Sequence, residues 1–196
     1  MDKPATIHTT LQEALAIAAF DGWSEAMAAQ ACKQAGVRES EYIRACPNGA
    51  IDLLDAWMLA ADEHMAEHAE NITISSLKVR ERIKQLVLCR LHYFAEHREA
   101  MRRACHLLAT PWHMPTNLCM LHRSVDRMWH LAGDNANDYN WYTKRLLLSG
   151  VYSSTLMYWL NDDSADFEAT QSFLDRRIEN VMQVGQWVGK FKQRAA

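Results

Sequence analysis

Residues 141–160 read WYTKRLLLSGVYSSTLMYWL, and the part from Leu146 onward carries no charged side chain. Small residues interrupt it at Ser149 and Gly150 and again at Ser153 and Ser154. The charge-free part is shorter than the roughly 20 apolar residues that a helix needs to span a bilayer. It therefore predicts a buried helix, around which the rest of the chain must supply packing partners.

The segments before and after this stretch also have helical spacing. Hydrophobic residues make up 49% of the chain, but only 7 glycines and 4 prolines are available for the turns of an all-β protein. Thr10 and Glu13 have the form of a capping box, and Ser24 can cap a second helix. We predict an all-α fold of roughly nine or ten helices, with segments at about 10–21, 24–35, 39–45, 51–70, 75–97, 118–129, 141–160 and beyond 164.

Charge, cysteines and missing motifs exclude several classes of function. The formal net charge is -3, so no overall basic field attracts nucleic acid. The five cysteines form no CxxC pair and the start of the chain resembles no signal or transit peptide, which predicts a bacterial-type cytoplasmic protein with reduced thiols. Glycine-rich phosphate loops, the HExxH zinc helix, the nucleophile elbow and the Glu-x-x-His pairs of di-iron bundles are missing. We predict no catalytic residues, no cofactor and no enzymatic activity.

The first three helical segments have a helix-turn-helix outline. This leaves a ligand-responsive transcriptional regulator as an alternative function. On the third segment, however, Arg38 and Arg44 are balanced by Glu39 and Glu41. Binding to the phosphate backbone depends on an excess of Lys and Arg, so this neutral segment predicts no nucleic-acid partner.

His64 and His68 lie one helical turn apart, with Asp62, Glu63 and Glu67 nearby. Their spacing leaves open a second alternative, a metal-dependent enzyme. Nine histidines in a helical chain also give such pairs by chance. We predict a structural or solvent-exposed role for the two histidines and no metal site.

Trp141 and Tyr142 are adjacent aromatic residues at the start of a helix. Neighbouring residues point about 100° apart on a helix, so these two side chains cannot share the centre of one buried face. We predict that one of them is exposed or lies in a contact surface.

The C-terminal segment has the pattern of an interfacial helix. Apolar residues repeat at helical spacing, and only basic charged residues follow Glu179. The apolar positions are Val181, Val184, Val188 and Phe191, with Trp187 beside them, and the basic ones are Lys190, Lys192 and Arg194. This pattern predicts either a helix on a membrane surface or a helix packed on its own domain or on a second subunit.

Four motifs in the second half of the chain occur together. They are AGD at 132–134, DYNWYTKR at 138–145, GVYSST at 150–155 and FLDRRI at 173–178. With these motifs the chain resembles the Coq-nine family of ubiquinone-biosynthesis accessory proteins, most strongly over residues 126–181.

The resemblance implies a fold similar to that of TetR-type regulators. Residues 1–48 would form a vestigial helix-turn-helix, 49–182 a helical lipid-binding body and 183–196 a basic amphipathic tail. It also implies a homodimer without DNA binding, peripherally associated with the inner membrane. An isoprenoid quinone intermediate or a phospholipid would be its ligand, and demethoxyubiquinone hydroxylase, which carries the di-iron chemistry, its protein partner.

The resemblance further implies which residues make these contacts. The residues implied in binding the hydroxylase are Asp126, Asp138, Trp141, Tyr142 and Arg145. The residues implied in binding the membrane are Val184, Trp187, Val188, Lys190, Phe191 and Lys192.

Overall fold

The structure is a computed structural model that describes residues 2–134 and 140–194, with the side chains of Asn140 and 183–194 outside the description. All regular secondary structure within these ranges is helical, which confirms the predicted all-α fold. The α-helices are α1 Lys3–Asp21, α2 Glu25–Gln34, α3 Glu39–Ala45, α4 Ala50–Asn71, α5 Val79–Tyr93, α6 Arg98–Leu108, α7 Met114–Leu131, α8 Asn140–Trp159 and α9 Glu168–Arg194. Short 3-10 helices lie at Ile74–Ser76, Ala95–His97 and Ala165–Phe167.

Side-chain caps determine where the first helices begin. The Ser24 hydroxyl accepts a hydrogen bond from the Met27 amide at 3.1 Å, as its predicted capping role requires. The helix α1, by contrast, begins before Thr10, because Asp2 caps it through the Lys3 amide at 2.8 Å and Pro4 lies in its first turn. The predicted start of the first helix was therefore too late.

The described residues form two compact units. The first comprises Met1–Met65 and His92–Ser124, and the second comprises Ala66–Leu91 and Val125–Ala196. The sequence analysis divided the chain by function, at residues 48 and 182, and not by compactness. That division stays a prediction.

An aromatic cluster forms the centre of the first unit. Trp57 is fully buried, stacks on Trp23 at 5.7 Å between ring centroids and meets the edge of Phe94 at 4.8 Å. The Trp23 indole N–H donates to the Ala100 carbonyl at 3.0 Å, so its polar atom is satisfied in the core. These contacts join α4 and α6 to the turn between α1 and α2.

In the second unit, Arg82 fixes an irregular segment next to α5. Its guanidinium donates to the carbonyls of Ser75, Leu77 and Ala132 at 2.6, 2.7 and 2.9 Å. Residues 75–78 are thereby kept out of the helix that the sequence predicted over 75–97. Gly133 ends α7 with a φ of 86°, and a Cβ there would lie 3.0 Å from the guanidinium.

Two further helix boundaries differ from the sequence predictions. No helix was predicted over the residues that form α6, and the helix predicted over 75–97 ends at Tyr93. The helix α7 begins at Met114, ahead of the predicted stripe, because Pro115 lies in its first turn, where a missing N–H costs no hydrogen bond.

The apolar stretch that forms α8 is buried on one face only. Leu148, Val151, Tyr152 and Trp159 are buried, whereas Tyr142, Leu146, Met157 and Tyr158 are exposed. The prediction of a buried helix is therefore confirmed for one face and wrong for Leu146, Met157 and Tyr158, which are exposed. In the part of the chain that the structure describes, no helix is long and apolar enough to cross a membrane.

The turn at 161–164 caps α9, as predicted. The Asp162 carboxylate accepts hydrogen bonds from the Ser164 amide at 2.9 Å, the Thr170 amide at 2.7 Å and the Thr170 hydroxyl at 2.5 Å. Burial alone would raise the pKa of Asp162, but these hydrogen bonds outweigh it and lower the pKa to about 2.

We expect Asp162→Ala to lower the free energy of unfolding by about 1–2 kcal/mol, because the first turn of α9 loses its acceptor. A folded-state pKa below the ordinary value stabilises the protein above about pH 4 and loses that contribution as the pH falls towards 2. The stability difference between wild type and Asp162→Ala, measured by urea unfolding, should therefore shrink over this pH range. A difference that stays constant from pH 6 to pH 2.5 would contradict this account of the turn.

Candidate functional site

The predicted partner-binding residues lie where α7 meets the start of α8, within the second unit. The structure brings together Asp126 on α7 and Trp141, Tyr142 and Arg145 on α8. Asp138, the fifth predicted residue, lies outside the described residues. We call the four described residues the aromatic patch.

Arg145 holds the aromatic patch together. Its Nε donates to Asp126 Oδ1 at 2.5 Å, and its guanidinium lies over the Trp141 ring, 3.9 Å from the centroid. Only 4% of the Arg145 side chain is exposed. The carboxylate balances the charge of the buried guanidinium, and the indole ring packs against its flat face. Arg145 therefore positions Trp141 and is itself largely covered.

Tyr142 forms the exposed part of the patch. Its ring meets the edge of Trp141 at 4.7 Å between centroids, yet 73% of the residue is exposed. Leu146, one helical turn further along α8, is also exposed. The prediction that one member of the aromatic pair is exposed is confirmed, and the exposed one is Tyr142, beside a half-buried Trp141.

Charged residues that sequence reasoning missed surround the patch. Lys144 Nζ donates to Asp134 Oδ1 at 2.7 Å and lies 5.7 Å from the Trp129 ring centroid. His130 Nδ1 lies 3.3 Å from the second carboxylate oxygen of Asp126. The spacing of four residues between Asp126 and His130 was a signal in the sequence, but the pairing of Lys144 with Asp134 spans a turn and needed the fold.

The predicted membrane-binding side chains lie outside the described residues. For Val184, Trp187, Val188, Lys190, Phe191 and Lys192 the structure describes only a helical backbone, which continues in α9 to Arg194. A helix was predicted for this segment, and what it contacts stays a prediction.

At the start of α3, Arg38 is ion-paired with Glu41, so its positive charge is not available to a DNA phosphate. Arg38 Nη2 lies 2.8 Å from Glu41 Oε1, and this hydrogen bond lowers the pKa of Glu41 to about 2. The carboxylate therefore stays ionised at neutral pH and neutralises Arg38. This geometry agrees with the electrostatic argument against a nucleic-acid partner.

Two grooves are described, and charged side chains line both. One, of about 750 Å³, lies along α2 and α3 and is lined by Glu25, Ala26, Ala29, Cys32, Lys33, Val37, Glu39, Tyr42 and Ile43. The other, of about 310 Å³, lies between α5 and α9 and is lined by Arg80, Glu81, Lys84, Asp175, Ile178 and Glu179. Neither is a chamber lined by apolar residues alone, and the predicted lipid pocket stays a prediction.

The histidine pair and the thiols were the remaining candidates for chemistry. The His64 ring lies 5.3 Å from the Tyr93 ring, and the described residues contain no group of three or more metal-ligating side chains. Burial raises the pKa of the Cys46, Cys89 and Cys105 thiols to about 11. These three thiols are therefore protonated and unreactive at neutral pH.

Comparison with known proteins places the aromatic patch in a known family segment. The COQ9 family model matches residues 114–185, which include the whole patch. The mitochondrial ubiquinone biosynthesis protein COQ9 of Rattus norvegicus is 30% identical over 184 residues, which are 91% of this chain and 59% of the rat protein. The human COQ9 protein is 38% identical over 103 residues, 53% of this chain and 32% of the human protein.

The relatives are longer than this chain, and their names state a location. The chain spans only about three fifths of the rat protein's length. Both relatives are named as mitochondrial, whereas the sequence predicted a bacterial-type cytoplasmic protein. The location of this chain stays a prediction.

The fold has a solved counterpart. A TetR transcriptional regulator from Nitrosomonas europaea superposes with a TM-score of 0.73, covering 92% of this chain and 99% of the regulator at 22% sequence identity. This likeness confirms the TetR-like fold and, at such low identity, concerns the fold alone. The matched motif segment and the relatives along most of the chain confirm the resemblance, and the chain belongs to the COQ9 family.

Proposed function

We propose that this chain is an accessory protein of ubiquinone biosynthesis that binds an isoprenoid quinone intermediate and presents it to a membrane-associated hydroxylase. The aromatic patch supports this proposal, because inside the COQ9 segment it combines an exposed Tyr142 with a half-buried Trp141 that stacks on the buried, ion-paired Arg145. The names of the relatives support the pathway. The chain would perform no chemical step of its own.

The aromatic patch has the properties of a protein-binding surface. Tyr142 and Leu146 offer exposed apolar area, and the Trp141 ring meets the Tyr142 ring and stacks on the Arg145 guanidinium. Interface hot spots are rich in Trp, Tyr and Arg, and they bind more tightly when their side chains are already fixed. We propose that this surface binds demethoxyubiquinone hydroxylase, and that Asp138, which lies outside the described residues, takes part in the same contact.

A lipid ligand requires apolar volume and few polar groups. An isoprenoid tail is nearly pure hydrocarbon, and removing it from water is favourable by about 25 cal/mol per Å². Such a compartment leaves no motif in the sequence, since many apolar residues can line it. We propose that the helical body binds the tail of the quinone intermediate, and that a phospholipid can occupy the same volume.

The tail of α9 would bring the chain to the bilayer. Apolar insertion by Val184, Trp187, Val188 and Phe191 would combine with the attraction of Lys190 and Lys192 to anionic headgroups. We propose a peripheral membrane association of this kind and a homodimer as the working form.

A TetR-type regulator remains a second candidate because of the shared fold. The Arg38–Glu41 ion pair on α3 argues against it. A salt-dependent shift of duplex DNA by submicromolar protein would favour the regulator over the accessory protein.

The double variant Trp141→Ala, Tyr142→Ala tests the partner surface. We expect its affinity for the hydroxylase to fall about tenfold or more, because the aromatic anchors are lost. Binding would be measured by calorimetry with the purified hydroxylase in detergent. Phe20→Ala, which removes another exposed aromatic side chain on α1, is the matched control and should bind normally. Wild-type affinity of the double variant would contradict the proposal, and a collapse of its melting temperature would assign both rings to the core.

Substitution of Arg145 tests whether this residue positions the Trp141 ring. Arg145→Ala should lower the free energy of unfolding by about 2–3 kcal/mol, because it leaves the Asp126 carboxylate without its main cation. Arg145→Lys keeps the charge but loses the planar stack on Trp141, so it should recover stability and still bind the hydroxylase more weakly. Arg177, exposed and stacked on Phe173 at 4.8 Å, is the control, and its change to alanine should cost less than about 1 kcal/mol. Full binding by Arg145→Lys would remove the positioning role.

The double variant Trp187→Ala, Phe191→Ala tests the tail. We expect partition onto vesicles of phosphatidylcholine and phosphatidylglycerol to fall about tenfold, since two inserting rings are lost. Co-sedimentation measures it, with circular dichroism to verify an intact fold. Unchanged sedimentation would leave the tail without a membrane role.

A further inference from the structure

Two aromatic rings are stacked at the surface where the end of α8 meets the start of α9, within the second unit. The rings of Tyr158 and Phe173 lie 4.4 Å apart between centroids and 12° from parallel. The guanidinium groups of Arg177 and Arg176 lie over the Phe173 ring, 4.8 and 6.0 Å from its centroid. We call these four residues the stacked surface. The FLDRRI motif supplies three of them, and none belongs to the aromatic patch or to the α9 tail.

The two arginines of the stacked surface are exposed. In the part of the chain that the structure describes, neither has an ion-pair partner, and this includes the exposed Asp163 and Asp166 of the turn before α9. The adjacent arginines of α6 differ, because Arg102 and Arg103 pair with Glu99 at 3.1 and 3.7 Å. The charge of the stacked surface can therefore pair with an external anion without first breaking an internal ion pair.

The acidic residues of α9 lie on a different side of the helix from the stacked surface. They are Glu168, Asp175 and Glu179. At 100° per residue, all three lie more than about 100° around the helix axis from Phe173, whereas the two arginines lie within about 60° of it. Asp175 is itself paired with Lys84 at 2.8 Å. The face of α9 that carries the stacked surface is therefore basic.

We propose that the stacked surface binds an acidic segment of a protein partner, in which two neighbouring carboxylates pair with Arg176 and Arg177. A guanidinium presents its N–H donors in a planar fork that matches a carboxylate. Because the stack on Phe173 restrains the two side chains, less conformational freedom is lost on binding. Tyr158 and the exposed Met157 beside it offer apolar area next to the charges. Aromatic residues, Met and Arg are the residue types enriched at protein interfaces.

The geometry favours a protein over a bilayer as the occupant. The two rings lie face to face, Phe173 is half-buried and Tyr158 is 38% exposed, so the stack offers little ring surface for insertion among lipid tails. An anionic bilayer also attracts lysine and arginine alike. A pair of carboxylates held on a protein depends instead on the planar guanidinium fork. This difference separates the two occupants by experiment.

The stacked surface is separate from the aromatic patch. Tyr142 and Tyr158 lie roughly 24 Å apart along α8, at a rise of 1.5 Å per residue. The proposed contact with an acidic segment therefore does not depend on how the hydroxylase binds the patch.

The test uses a short fluorescent peptide with two adjacent glutamates followed by a tyrosine, and a second peptide with glutamine in place of each glutamate. The affinity of the full chain for each peptide is measured by fluorescence anisotropy. The variant Arg176→Gln, Arg177→Gln removes both charges of the stacked surface. Arg102→Gln, Arg103→Gln is the matched control, since it removes two adjacent arginines that already have a partner. Circular dichroism verifies that each variant is folded.

We expect the wild-type chain to bind the glutamate peptide about tenfold more tightly than the glutamine peptide, because hydrogen bonds between ionised groups are the stronger ones. Arg176→Gln, Arg177→Gln should lose this preference, and the control variant should keep it. Arg176→Lys with Arg177→Lys keeps the charge but loses the fork, so its affinity for the glutamate peptide should fall by about threefold. Wild-type affinity should also decrease as added salt screens the exposed charges.

A wild-type chain that does not prefer glutamate over glutamine would overturn the proposal, and so would a preference that survives Arg176→Gln, Arg177→Gln. The same variants are tested for partition onto vesicles of phosphatidylcholine and phosphatidylglycerol. Partition that is lost with glutamine and restored with lysine, while the affinity for the peptide stays unchanged, would assign the surface to a bilayer and also overturn the proposal. Trp141→Ala, Tyr142→Ala should bind the glutamate peptide normally. A loss of affinity in that variant would place the acidic segment on the aromatic patch instead.

Discussion

The burial of one guanidinium, that of Arg145, determines how α7 and α8 meet. A covered cation is tolerated only where a carboxylate and good contacts compensate for its lost hydration. Asp126 supplies the carboxylate from α7 and Trp141 supplies the ring from α8. Because Asp126, Arg145 and Trp141 must keep these contacts, the first turn of α8 has a fixed position and Tyr142 points to solvent. The proposed partner surface depends on this constraint.

On a TetR-like fold, the charges of the third helix determine whether that helix can bind the DNA backbone. In this chain Arg38 is neutralised by Glu41 on α3, where a regulator would need cations for the DNA backbone. Exposed apolar side chains lie on α8, where Tyr142 and Leu146 are exposed, and Ile43 is exposed on α3 itself. A helical fold with neutral recognition helix and exposed aromatic residues is suited to protein and lipid surfaces.

Local signals in the sequence predicted much of the fold. The helix at Glu39–Ala45, the Ser24 cap and the turn at 161–164 each depend on neighbouring residues and were correct. The errors in helix boundaries arose where contacts between residues far apart in the sequence determine the backbone conformation. Arg82 keeps residues 75–78 out of a helix through carbonyls that include that of Ala132, 50 residues away. The exposure of one aromatic residue followed from helix geometry, but the Asp126–Arg145 pair spans 19 residues and a turn, and only the resemblance to a family had brought the two together.

We propose that the helical body shelters an isoprenoid quinone precursor while another protein performs the chemistry. Native mass spectrometry of the freshly purified chain, followed by extraction and identification of any bound lipid, tests this most directly. We expect a polyprenylated quinone intermediate, recovered at a stoichiometry approaching one per chain when the partner hydroxylase is inactive. A chain that carries no isoprenoid lipid under those conditions, and takes none up from vesicles supplied with the intermediate, would contradict it.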